Sequence, residues 1–199
     1  YIQDTGTLTL TNVTIKNCTA SSSGGAVYSK STGTVTMTDC IITGNESQVG
    51  SGGGIYVDGG SITINGGRIS NNKATSTNSK GGGIYFKGTG TLKLTDVTVS
   101  GCSAHDAGGG VYSADAVTMM NCTITGNECT KEGGGIYVGG TATMTSGSIR
   151  HNTVTGAFGG GICARGSLTL TDVIISNNTG DSLGGGICVY RNANVTMNG

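Results

Sequence analysis

The side chains that could carry out acid–base chemistry are few, and their spacing keeps them apart. The 199 residues include 11 acidic and 11 basic side chains and 2 histidines. Cleaving a glycosidic bond requires two carboxylates, or a carboxylate with an Arg or Lys base, converging on one bond, often with Ca²⁺. Asp58, Asp115 and Asp181 fall in separate segments. Asp106 beside His105 is the one acid–His neighbour pair, in a short polar loop where solvated polarity is the simpler reading. Lys93 with Arg68 or Arg165 suggests no cleft. The 7 cysteines lack the Cys-x-x-Cys spacing of metal sites. The glycine-rich segments open no helix and carry no Lys-Ser/Thr, so they are not phosphate loops, and the Gly-Gly-x-Gly-x-Asp calcium repeat is missing. The expectation is no catalytic residue, no metal and no cofactor.

What the chain does carry is repetition. Gly-Gly-(Gly/Ala)-(Ile/Val)-(Tyr/Cys) stands at 24–28, 52–56, 81–85, 108–112, 133–137, 159–163 and 184–188. Thr-x-Thr-like segments start at Thr7, Thr34, Ser61, Thr91, Ala116, Thr141, Ser167 and Asn194, a period of 25–30 residues. A period of this size, built from short alternating segments and turns without helices, indicates a solenoid. Gly is 39 of 199 and Pro is absent. Such glycine richness would suit a disordered linker, but strict alternation of apolar and polar residues buries one face, which linkers do not need. Net charge is zero without a basic block, which gives no footing for nucleic acid. No apolar run reaches the roughly 18 residues of a membrane span.

Each position of the repeat then becomes a column. Leu10, Met37, Ile64, Leu94, Met119, Met144, Leu170 and Met197 are expected on one inward face. Thr9, Thr36, Thr63, Thr118, Thr143, Thr169 and Thr196 are expected outside it, with Lys93 in the same column and Met120 nearby interrupting the array. Asn12, Asp39, Asp96, Asn121 and Asp172 fill a turn. Asn17, Gly44, Asn71, Gly101, Gly126, His151 and Asn177 read as a left-handed backbone position, which leaves His151 a structural role. Cys18, Asn45, Asn72, Cys102, Asn127, Asn152 and Asn178 are expected at an inward corner as a side-chain amide ladder. Loops of variable length follow, such as 73–80 and 103–107. After the glycines, Val27, Ile55, Ile84, Val111, Ile136, Ile162 and Ile187 point in, while Tyr28, Tyr56, Tyr85, Tyr112, Tyr137, Cys163 and Cys188 point out. The fold class is all-β: a right-handed parallel β-helix of about seven coils of 25–30 residues, with three strands per coil. Residues 1–199 are read as a single β-helix segment. The chain opens and closes inside repeats, so it is expected to be part of a longer repeat protein, uncapped at both ends and open to end-to-end association.

Thr-Leu-Thr-Leu-Thr-Asn-Val-Thr-Ile at 7–15, Ile-Thr-Gly-Asn at 124–127 and Gly-Gly-Gly-Ile-Tyr-Val at 133–138 resemble repeats of large bacterial surface proteins. They are similar to the Gly-Gly-Ala-Ile and Phe-x-x-Asn repeats of chlamydial polymorphic outer-membrane proteins and to adhesin-like repeats of gut Firmicutes. The broader fold that this resemblance implies is that of the pectate-lyase-like β-helices. Where the chlamydial motif has an aromatic, this chain has Ile42 and Ile124. The resemblance implies an exported, surface-attached bacterial protein.

The functional expectation is a non-catalytic structural or adhesive rod, extracellular or on the cell surface. Its partner would be a host or neighbouring-cell protein or glycan. The candidate binding surfaces are the Tyr column (Tyr28, Tyr56, Tyr85, Tyr112 and Tyr137) and the Thr column. One alternative is a carbohydrate-active β-helix, distinguished by acids from different coils meeting at a groove. Another is ice binding through the Thr face. Cys163 and Cys188 are the one cysteine pair on adjacent coils. Their side chains point the same way, so a contact is expected and a disulfide would need strain.

Overall fold

The computed structural model describes residues 1–190 and 192–199. Among them there is no helix, and 28 short strands wind into a right-handed parallel solenoid of about seven coils. The strands stack into three sheets of 8, 13 and 7 members, each running coil by coil along the rod.

The expected columns are present in register. Leu10 pairs with Met37, Met37 with Ile64, Ile64 with Leu94, Leu94 with Met119, Met119 with Met144, Met144 with Leu170 and Leu170 with Met197. Burial is deepest in the middle coils, where Met37, Leu92 and Leu94 are fully enclosed. Leu10 is half-buried and Met197, in the last coil of the chain, is exposed. Phe86 is the largest enclosed side chain, packed with Ile55, Ile84 and Val111 in the same core. Each such Ile, Leu or Phe contributes about 1.5–3 kcal/mol by leaving water.

The sheets divide the coil differently from the sequence reading. The Thr strand and the Ile strand after the turn belong to one bent sheet, and they are continuous in Ala116–Thr125 and Ala142–Arg150. The third sheet is made of two-residue strands directly after the Asn corner, such as Lys73–Ala74 and Ser103–Ala104. These lie where the sequence reading placed the start of the variable loop. Two residues carry no readable alternation, so only the stacking on neighbouring coils defines them.

The corners follow from backbone chemistry. Asn12, Asp39, Asp96, Asn121, Ser146 and Asp172 all have φ between 49 and 57°, and Asn17, Asn71, His151 and Asn177 have φ of 53–54°. Asn and Asp tolerate this region because their short polar chains bond locally. The glycine triplet serves two needs. Gly81 has φ of 65°, and a Cβ on Gly82 would overlap the Gly109 carbonyl and the Ser103 backbone of the next coil.

The inward corner holds the amide ladder. The Asn72 carboxamide oxygen accepts from the Asn45 backbone N–H at 2.9 Å and from the Asn45 side-chain amide at 3.0 Å. Its own amide donates to the Ile42 carbonyl at 2.9 Å. Asn127, Asn152 and Asn178 repeat the pattern. Cys102 interrupts it: its Sγ lies 3.9 Å from the Asn72 amide. Burial pushes this thiol up to about 11, so it stays protonated.

Candidate functional site

The eight-stranded sheet carries the Tyr column outward. Tyr28, Tyr56, Tyr85, Tyr112 and Tyr137 are in register on five successive coils. Their rings stack with centroids 4.7–5.1 Å apart and planes within 10° of parallel. Tyr1, which aligns with Tyr85 in the repeat, extends the ladder at 5.3 Å. The cause is geometric, since parallel in-register strands about 4.8 Å apart place identical side chains at ring-stacking distance. Burial within the stack pushes the Tyr85 phenol up to about 12, with the neighbouring Tyr112, Asp58 and Asp115 adding to the effect. Tyr137 is likewise raised to about 12, first by burial and then by Tyr112. The ring faces cover one another, so the ladder offers edges and hydroxyls rather than open faces for stacking on a sugar.

The ladder ends where Cys163 replaces Tyr, and the outer surface changes there. Cys163 occupies the outward column next to Tyr137, yet it is fully buried. The outward position predicts exposure like that of the tyrosines, and the side chains that close over Cys163 remove it. The small side chain leaves room that Glu132, Arg165 and Tyr190 fill. Arg165 donates from Nε and Nη2 to the two Glu132 oxygens, and the Tyr190 hydroxyl donates to Glu132 Oε1 at 2.8 Å. The guanidinium also lies 3.8 Å from the Tyr190 ring centre, and Phe158 meets that ring edge-on at 6.0 Å. Cys163 and Cys188 are in register as free thiols. Burial, then the Glu132 charge, holds the Cys163 thiol well above its usual range.

Beside this cluster, Asp106 pairs with Lys131 at 2.7 Å and with Lys80 at 3.7 Å, and Lys80 sits 5.1 Å from the Tyr112 ring centre. Lys80, Asp106, Tyr112, Lys131, Glu132, Tyr137 and Arg165 line one open groove of about 350 Å³. Stacked loop ends assemble it: Lys80, Ala107, Glu132, Phe158 and Leu183 form a run of parallel bridges on consecutive coils. The loops differ in length, but their last residues stay in register before the glycines.

Arg165 lines the groove without Lys93 or Arg68, the residues with which the sequence suggests no cleft. Asp106 turns to the two lysines rather than to His105, whose Nδ1 is buried without a partner among the described residues. Lys93 remains in the Thr column, paired with Thr63 and Thr118. Thr9, Thr36, Thr63, Thr118, Thr143, Thr169 and Thr196 share that column, and Met120 is half exposed beside it.

Asp106 and Glu132 come from neighbouring coils and meet at one groove, the arrangement that a glycosidase would require. Glu132 is held in the wrong state to serve as the general acid of such a pair. A general acid needs a raised pKa. Burial alone would raise the Glu132 carboxyl, but hydrogen bonds from Arg165 and Tyr190 outweigh it and hold the group below its ordinary value. Among the described residues no three His, Cys, Asp or Glu side chains gather as a metal site, and no helix is long and apolar enough to cross a membrane.

A Chlamydia polymorphic membrane protein repeat matches residues 172–190. No curated protein and no solved structure matches the chain. A right handed beta helix region matches residues 1–179, which contain nearly all of the coils described above, and the chain belongs to that family.

Proposed function

We propose that this chain is a non-catalytic rod segment of a bacterial cell-surface protein, which holds its outer columns and loop corners out for contact with a partner. The observation that carries this reading is the uninterrupted register of the columns from coil to coil, with the carboxylates of the groove beside Tyr137 engaged in ion pairs. The match to a polymorphic membrane protein repeat supports the surface location. Antibodies raised against the segment should stain intact cells of the producing bacterium. Staining only after permeabilisation would contradict the proposal.

A second reading, a polysaccharide-active enzyme, has one observation in its favour: Asp106 and Glu132 line the same groove. It predicts new reducing ends or unsaturated uronate products from acidic polysaccharide. The rod reading predicts neither, and no change in that result with Glu132→Gln. Ice binding through the Thr column is disfavoured by Lys93 within it and Met120 beside it.

A further inference from the structure

The groove beside Tyr137 presents its cations outward and its carboxylates inward. The side chains of Lys80, Lys131 and Arg165 keep 35%, 52% and 42% of their surface exposed, whereas Asp106 and Glu132 keep 21% and 17%. The carboxylates therefore form a floor that fixes the cations above them. Arg165 is committed, with its fork on Glu132 and its plane on Tyr190. Lys80 and Lys131 share the single carboxylate of Asp106, the only one that either meets among the described residues. Each ammonium has three donors, so donors remain for an incoming acceptor. Three cations over two carboxylates leave one unmatched positive charge at the surface.

The surroundings restrict what can carry the matching anion. A peptide usually gains affinity by adding to an open strand edge. Along this groove the strands of the tyrosine sheet are already paired to the coils on either side. A ligand must then be held by side chains alone. Tyr112 and Tyr137 supply hydroxyls and ring edges along the wall, suited to sugar hydroxyls, and about 350 Å³ falls in the range of small-ligand pockets.

We propose that the groove binds an oxyanion carried on a glycan, a sulfate ester or a uronate carboxylate, seated between Lys80 and Lys131 with its sugar against Tyr112 and Tyr137. The proposal rests on the surface-rod reading, because a glycan must be able to reach the groove. It deepens that reading by naming a ligand class.

Titration calorimetry of the whole chain at low salt would use four probes: a sulfated tetrasaccharide, a galacturonate tetrasaccharide, neutral maltotetraose and tetraglutamate. At least one acidic tetrasaccharide should bind, and their ranking identifies the oxyanion. Maltotetraose and tetraglutamate should bind at least about tenfold more weakly. Lys131→Ala should weaken binding about threefold and the double change with Lys80→Ala about tenfold. Lys93→Ala, in the Thr column, should change nothing, and replacing both groove lysines with Arg should retain binding. Unchanged thermal midpoints would show that the exposed-lysine variants are folded. No binding of either acidic sugar, equal binding of tetraglutamate or maltotetraose, or insensitivity to the double Ala variant would each overturn the proposal. Loss of this binding with intact-cell staining preserved would sink the ligand and leave the rod, whereas lack of staining would sink the rod.

Discussion

Asn72 shows how one residue type holds a coil. Its oxygen accepts two hydrogen bonds and its amide donates to Ile42 and faces Cys102, all within a fully buried corner. Asn72→Asp replaces the donor with an oxygen aimed at the Ile42 carbonyl. A loss of about 2 kcal/mol or more is expected, read as a lower thermal or denaturant midpoint. An unchanged midpoint would mean that the corner is solvated. Glu132 gives a pH prediction. Its folded pKa lies below the ordinary value of about 4.3, so its pairing stabilises the fold at neutral pH and is lost as pH falls through the lower folded value. Arg165 is well exposed, so the contribution is about 1 kcal/mol or less. The stability gap between the native chain and Glu132→Gln should therefore shrink between pH 7 and pH 3, and a gap constant with pH would remove the ion pair from the account. The inward placement of Asn72 and the left-handed backbone of His151 were legible in the sequence, because only Asn, Cys, Gly or His recur at those places. The partners of Glu132 were not, since Tyr190 lies 58 residues away.

At the scale of elements, the tyrosine ladder is a product of strand register. Tyr85 stacks on Tyr56 at 4.7 Å and on Tyr112 at 5.1 Å. Tyr85→Ala removes two stacked contacts and should cost about 1–3 kcal/mol, while Tyr85→Phe keeps both rings and should stay within about 0.5 kcal/mol of the native chain. Comparable losses for the two variants would assign the stabilisation to the hydroxyl instead of the stack. The outward direction of this column follows from period-two alternation, but the covering of ring faces does not. Nor could alternation reveal the seven-stranded sheet, whose members are two residues long. Those strands exist because the Asn corner delivers the chain to the same height on every coil.

At the scale of the whole molecule, repetition made the rod readable and concealed the groove. A column is visible once the period is known. The groove arises where the period is broken, with Cys163 after five tyrosines and loops of unequal length whose last residues nevertheless align as Lys80, Ala107, Glu132 and Phe158. No spacing rule predicts which charges such loops bring together. An electron spin-label distance tests the stack of coils most directly. Thr36 and Thr169 face outward in one column and are linked by register through Thr63, Lys93, Thr118 and Thr143. Labels at these two positions, with Cys18 and Cys188 changed to Ser, should lie about 24 Å apart in a narrow distribution, five steps of about 4.8 Å. A broad distribution, or a mean beyond about 40 Å, would contradict the parallel β-helix on which every other argument depends.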